Sequence, residues 1–142
     1  MRPRWCLDSW AVLRLLEDAE GIAPRVFAAI DEGTAMSWIN AGEVYYVTLR
    51  EAGRAVADRA IDGLRTRVVL DTPSGDRVMA AASIKAEHRM SYADAFACAT
   101  AIAYDATLLT GDDEILRPAG PWRAVDLRVA SSPTTPPSDQ RG

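Results

Sequence analysis

Short apolar runs alternate with longer amphipathic stretches along most of the chain. The apolar runs predict buried strands, since polar or turn-forming residues bound each of them, at residues 5–7, 34–39, 67–71 and 106–109. The stretches between them have apolar positions at helical spacing and predict helices over 10–17, 22–32, 40–51, 53–65, 76–89 and 91–104. A helical turn at 115–116 and an edge strand over 122–127 follow. This alternation predicts an α/β fold of three layers, α/β/α, whose central, mostly parallel sheet has four to five strands.

Length and composition predict one soluble domain over residues 1–129. With 49% hydrophobic and 25% charged residues, the chain has the composition of an ordinary globular protein. From residue 130 to 142 the apolar pattern stops and Ser, Thr and Pro dominate, which predicts a disordered tail. We find no signal-peptide pattern and no apolar run long enough to span a membrane. Cys6 and Cys98 lie in apolar surroundings and predict core thiols, so a reducing, cytoplasmic compartment is expected.

The net charge argues against binding nucleic acid through bulk electrostatics. The chain carries a formal charge of -4 and has a pI of about 5.0. Clustered acids that bind a metal ion would lower the pI in the same way, so an RNA or DNA substrate stays compatible with this composition.

The helix over residues 91–104 holds a single charged residue, Asp94, among alanines and other small or apolar side chains. A carboxylate in such surroundings is costly unless a hydrogen bond or a cation compensates it. One interpretation is local: Ser91 is the N-cap, and Asp94 at N3 forms a capping box with it. The other interpretation is a metal ion shared with further carboxylates.

Acids recur where a parallel sheet would place one site. Asp8 and Asp112 follow predicted strands, and Glu43 and Asp94 lie in the first turns of helices. Each acid has an alternative role at a helix N-terminus, with Asn40 as the N-cap beside Glu43 and Ser91 as the N-cap beside Asp94. Four independent acidic caps at one edge of the sheet are less expected than one shared site. Ser9 and Thr110 place hydroxyls beside two of these acids. Oxygen-only ligands suit one or two Mg²⁺ or Mn²⁺ ions and do not suit zinc.

These residues resemble a known family, the PIN-domain ribonucleases, and within it the VapC-type toxins of bacterial toxin–antitoxin pairs. The resemblance runs from Leu7 to Glu114 in the order that the family has. It rests on four motifs: Leu7-Asp8-Ser9, Ser37-Trp38-Ile39-Asn40-Ala41-Gly42-Glu43-Val44-Tyr45-Tyr46, Ser91-Tyr92-Ala93-Asp94-Ala95 and Leu109-Thr110-Gly111-Asp112.

The resemblance implies a PIN-like nuclease domain with Mg²⁺- or Mn²⁺-dependent endoribonuclease activity. Its catalytic and metal-binding residues would be Asp8, Glu43, Asp94 and Asp112, supported by Ser9 and Thr110. The resemblance further implies a homodimer, a VapB-type antitoxin as partner, and tRNA or ribosomal RNA as substrate. Trp10 stands where the family has a smaller residue, which could alter access to the site. Asp113 and Glu114 leave open which acid assists Asp112.

Three other functions stay open from the sequence. A housekeeping RNA-processing PIN nuclease would share the whole site and lack an antitoxin. A non-catalytic PIN-fold interaction module would be expected to lose some of the acids. A receiver-type phosphotransfer domain also clusters acids at strand ends, but it needs a lysine at a late strand end, and Lys85, the single lysine, falls inside a predicted helix.

Overall fold

The fold places five short parallel strands between two layers of helices. A computed structural model describes residues 2–130. The strands pair in the order β3-β2-β1-β4-β5, and every pairing is parallel. The elements along the chain are β1 Trp5–Leu7, α1 Ser9–Leu16, α2 Ala23–Glu32, β2 Thr34–Ser37, α3 Trp38–Ala52, α4 Arg54–Arg67, β3 Val69–Asp71, α5 Gly75–Glu87, α6 Tyr92–Tyr104, β4 Thr107–Thr110, α7 Asp113–Leu116 and β5 Arg123–Asp126. The predicted three-layer α/β/α class is confirmed.

Alternation along the strands divides the core between the two faces of the sheet. Cys6 and Leu108 pack with α5 and α6 on one face. Leu7 and Leu109, one position further along each strand, pack with α1 to α4 on the other face. Successive side chains of a strand point to opposite faces, so strands covered on both sides have continuous apolar sequences. Burial on both faces of the sheet therefore explains the apolar runs in the sequence.

Helix α6 is buried along most of its length, as its alanine-rich sequence predicts. Its alternating alanines let it approach the sheet and the neighbouring helices closely: Ala95, Ala97, Ala99 and Ala101. Cys98 on this helix and Cys6 on β1 are both buried and carry free thiols, which confirms them as core residues.

The predicted start of α3 is wrong by about one turn. Strand β2 ends at Ser37, whose hydroxyl accepts a hydrogen bond from the Ile39 amide at 3.1 Å and caps the helix. Asn40 therefore lies inside α3 and is not its N-cap. Glu43 in turn is not at N3, so the capping box that would have explained its charge does not form.

The order of the strands sets the position of the site. Strand β1 lies between β2 and β4, so the chain leaves β1 toward one side and returns on the other. In open parallel sheets, ligands bind outside the carboxyl ends of the strands at such a reversal point. Asp8 follows β1 and Asp112 follows β4, so both acids lie at this edge.

Part of the sequence interpretation falls outside the described structure. The predicted tail begins at residue 130, and residues 131–142 lie outside the described residues. Within residues 2–130, the helices are too short or too polar for any of them to cross a membrane.

Candidate functional site

Three carboxylates meet at the carboxyl edge of the sheet. Oxygen atoms of Asp94, Asp112 and Glu114 all lie within 4.8 Å of one another. Two of these residues were predicted from the sequence. The third, Glu114, is the acid that the sequence left undecided against Asp113. We refer to Asp94, Asp112 and Glu114 as the acidic group.

The start of α6 shows why Asp94 is available for a ligand. Ser91 caps this helix, and its hydroxyl accepts a hydrogen bond from the Asp94 amide at 3.1 Å. In a capping box the N3 side chain would return a bond to the amide of the cap residue. Here the Ser91 amide donates to Glu114 at 3.2 Å. The second hydrogen bond of the cap is therefore made by Glu114 on α7, and the Asp94 carboxylate does not accept the Ser91 amide.

Helix α7 directs the other two members of the acidic group. Asp112 is its N-cap, and the Asp112 carboxylate accepts from the Glu114 amide at 2.9 Å. Asp113 points elsewhere, to Arg128 at 2.7 Å and Arg117 at 3.4 Å. The geometry therefore pairs Glu114, and not Asp113, with Asp112.

Asp8 reaches the same edge through a buried hydroxyl. Its side chain is 1% exposed, caps α1 through the Ala11 amide at 2.9 Å, and accepts a further hydrogen bond from the Thr110 hydroxyl. Thr110 in turn accepts from the Asp112 amide at 2.9 Å. Thr110 thus links the acid after β1 to the acid after β4.

Glu43 approaches from α3. Its carboxylate accepts a hydrogen bond from the Ser9 hydroxyl at 2.6 Å, and Ser9 is the residue next to Asp8. Asp8 and Glu43 lie outside the three-residue acidic group, although each is connected to the site by a hydroxyl that the sequence analysis named, Thr110 and Ser9.

Asn40 is a polar residue of this region whose position the sequence analysis missed. It is fully buried, and its amide nitrogen donates to the Ala93 carbonyl at 3.0 Å, next to Asp94. Its side-chain oxygen has no hydrogen-bond partner within residues 2–130. Asn40 therefore fixes the helix of Glu43 against the helix of Asp94. The sequence feature that indicates this position is Ser37, three residues earlier, which is a favourable N-cap for α3.

The Trp10 indole covers one side of the site and explains why residue 111 is a glycine. A Cβ atom on Gly111 would lie 2.3 Å from the Trp10 indole, so the indole occupies the space that any larger residue at 111 would need. Gly111 separates Thr110 from Asp112. The unusual Trp10 therefore packs directly on the backbone that carries two of the site residues.

Burial and charge shift the titration of two carboxyls strongly upward. Burial raises the pKa of Asp8 to about 7, assisted by the charge of Asp112 and opposed by hydrogen bonds from Thr110 and the Ala11 amide. Burial also raises the pKa of Asp94 to about 8, together with the charge of Asp112 and hydrogen bonds to Glu114 and Asp112, and opposed by a hydrogen bond with the Ser91 side chain. Both shifts arise mainly because burial disfavours the charged form of a carboxyl.

The donor set fits a hard divalent cation. The acidic group offers only carboxylate oxygens, which Mg²⁺ and Mn²⁺ prefer, and no nitrogen or sulfur atom belongs to it. A bound cation would stabilise the ionised form of Asp8 and Asp94, which burial and the charge of Asp112 disfavour.

Comparison with known proteins decides the family. The family model described as "PIN domain" matches residues 5–121. The chain belongs to the PIN domain family. This PIN domain has no matching relative among curated proteins.

Solved structures of toxin–antitoxin proteins share the fold of this PIN domain. VapBC from Salmonella typhimurium, solved bound to DNA, has 15% identity and a TM-score of 0.72, covering 87% of this chain and 98% of that chain. VapBC2 from Rickettsia felis, solved bound to a fragment of its promoter DNA, has 14% identity and a TM-score of 0.71, with coverage of 86% and 97%. Mycobacterium tuberculosis VapC20, a toxin that cleaves the sarcin-ricin loop, has 19% identity and a TM-score of 0.70, with coverage of 80% and 93%. At these identities the similarity establishes the fold.

Proposed function

We propose that this PIN domain is a Mg²⁺- or Mn²⁺-dependent endoribonuclease and the toxin of a toxin–antitoxin pair. The observation that carries the proposal is the acidic group of Asp94, Asp112 and Glu114 at the carboxyl edge of a PIN fold. VapC toxins among the structural neighbours, one of them described as cleaving the sarcin-ricin loop, support RNA as the substrate class.

In this proposal the acidic group, with Asp8 and Glu43 beside it, holds one or two divalent ions. When bound, such ions supply an activated water and neutralise charge on the phosphate being cleaved. The Thr110 hydroxyl orients Asp8 and the Asp112 backbone, and the Ser9 hydroxyl orients Glu43. Preorganised ligands of this kind need little rearrangement when an ion binds.

Metal-dependent cleavage of single-stranded RNA tests this function directly. We expect labelled RNA oligonucleotides to be cut internally in millimolar Mg²⁺ or Mn²⁺, and cutting to stop when EDTA removes the ion. Denaturing gels with tRNA and ribosomal RNA fragments measure this result. Cleavage at an equal rate in EDTA would contradict a metal-dependent mechanism and would point to a contaminating nuclease or to different chemistry.

An apolar groove supports an antitoxin as partner. The groove has a volume of about 220 Å³ and lies between α1, α2 and α4, with Leu16 and Phe27 exposed along it and Arg59 and Arg67 beside it. An amphipathic helix that carries acidic residues would match this combination of apolar and positive surface. This feature favours a toxin with a protein inhibitor over a housekeeping nuclease without one.

The groove gives a prediction about inhibition. Phe27→Glu should weaken binding of the protein encoded next to this gene by at least about tenfold, because it places a charge in an apolar contact. RNA cleavage by the variant alone should be unchanged, since Phe27 lies away from the acidic group. Calorimetry and inhibition assays measure the two effects, with exposed Met79 on α5 changed to Glu as the matched control. Equal inhibition of wild type and Phe27→Glu would exclude the groove as the antitoxin site.

A homodimer is a further part of the proposal. Apolar side chains on α3 and α6 are 40% exposed or more, as expected of a surface that a second copy covers: Ile39, Tyr46, Tyr92 and Ile102. Light scattering in solution measures the mass that decides between monomer and dimer.

A further inference from the structure

A cleft of about 510 Å³ lies directly beside the acidic group, between the end of α5 and the region of α7. Glu114 belongs to both features, because it lines the cleft and is a member of the acidic group. Two arginines, Arg89 and Arg117, also line the cleft. Glu87, Asp113 and Glu114 line it as well, so the cleft continues the site with charges of both signs.

The arginines of the cleft are available to a ligand. Arg89 forms no salt bridge within the part of the chain that the structure describes. Arg117 has a single loose contact, at 3.4 Å to Asp113, and its side chain is 80% exposed.

Of the three acids in the cleft, Asp113 is paired within the chain, and a cation bound at the acidic group would neutralise Glu114. Asp113 is held by Arg128 at 2.7 Å. Glu114 belongs to the acidic group and would be neutralised by its cation. Only Glu87 then opposes the two arginines, so the cleft attracts anions once the site is loaded with metal.

The loop that carries Arg89 is held on both sides. His88 packs edge-on against Trp122 at 5.1 Å, and Trp122 donates to the Ile115 carbonyl at 3.1 Å. The Met90 side chain is buried, and its carbonyl accepts from Lys85 at 2.9 Å. Arg89 is thus presented from a fixed backbone, which reduces the entropy cost of binding.

We propose that this cleft binds the sugar-phosphate backbone of the RNA strand next to the cleaved bond, with Arg89 and Arg117 contacting its phosphates. The inference rests on the proposed nuclease function and adds the path of the substrate. A guanidinium group can bind a phosphate through two parallel hydrogen bonds. Contacts of this kind fix the position of the strand and carry no sequence information. Arg89 and Arg117 therefore act as positioning residues.

The salt dependence of RNA binding tests the cleft. The probe is a fluorescein-labelled single-stranded RNA of about 12 nucleotides and mixed sequence, near the size of known single-strand sites. Its anisotropy is titrated in Ca²⁺, and gels verify that the probe stays intact. Each phosphate contact contributes about 0.7 to the slope of log affinity against log salt. We expect Arg89→Ala and Arg117→Ala each to lower the slope by about this amount, and the double variant by about twice as much.

Arg4→Ala is the matched control, since Arg4 is exposed at the opposite edge of the sheet, before β1. It removes the same charge and should leave the slope at the wild-type value. Wild-type slopes in the two cleft variants, with RNA cleavage intact, would overturn the cleft and leave the nuclease function standing. Wild-type protein that neither binds nor cuts RNA would overturn both. If the cleft variants keep the RNA slope and lose the antitoxin, the cleft is a protein-binding surface and the proposal is wrong.

Discussion

Asp94→Asn is expected to abolish RNA cleavage while leaving the metal-free protein as stable as the wild type or more stable. The Asp94 carboxylate does not cap α6, since Ser91 receives its reciprocal bond from Glu114, so little structural support is lost. The pKa of Asp94 is raised to about 8, so near neutral pH its carboxyl is largely uncharged and the neutral amide of Asn replaces it at little cost. Substituting a residue that hydrogen-bonds to a metal ligand, without binding the metal itself, typically lowers metal affinity or activity by about 10–100-fold. We therefore expect losing a ligand to reduce cleavage by at least about 100-fold.

Thermal melts with and without Mn²⁺ separate this result from simple unfolding. A metal that binds only the folded state adds about 2.7 kcal/mol of stability at 100 times its dissociation constant. Wild-type protein should therefore melt at a higher temperature with Mn²⁺, and Asp94→Asn should show little or no increase. Asp62→Asn is the matched control, because Asp62 is an exposed acid on α4, outside the acidic group. A variant that is less stable and still active would mean that Asp94 has only a structural role.

The metal-free protein is expected to lose stability as the pH rises from about 4 to about 8. The pKa values of Asp8 and Asp94 are raised to about 7 and about 8 by burial and neighbouring carboxylates. In the unfolded chain these groups return to about 3.9. Between these limits the folded state binds more protons than the unfolded state, so the free energy of unfolding falls with increasing pH. From about one pH unit below 3.9 downward, both states are largely protonated at these positions, and their contribution changes little.

Divalent cations should offset this loss of stability near pH 8. An ion binds the deprotonated carboxylates, so the melting temperature gained from Mg²⁺ or Mn²⁺ should be small at pH 5 and largest near pH 8. Melts across this range in EDTA and in Mg²⁺ measure the difference. A melting temperature in EDTA that rises steadily from pH 5 to pH 8 would contradict buried, uncompensated acids.

The fold was predictable because each strand and helix has a clear apolar pattern of its own. The caps of α1 and α6 were predictable for the same local reason, and the structure shows that capping and a shared site are not alternatives. Asp8 caps α1 and also lies at the site edge. At α6, Ser91 makes the cap while Asp94 contributes to the acidic group.

The errors arose where neighbouring residues compete for one role. Ser37 and Asn40 are both good caps, and only the structure shows that Ser37 begins α3. Asp113 and Glu114 are adjacent acids at the start of α7, and one step along a helix turns a side chain by about 100°. Which of them faces Asp94 depends on where α7 begins, and a four-residue helix gives no periodicity from which to infer that.

The hydrogen bonds of the acidic side chains also bear on the order of events in the cell. Asp8 and Asp112 close helix ends, and Glu114 holds the Ser91 amide, so these acids have structural partners without any ion. The chain should therefore complete its folding before a cation binds, unlike small zinc domains that are unfolded until they are loaded. Activation then requires only that a cation binds to a protein that is already folded. Its timing would depend on ion supply and on whatever occupies the groove at that moment.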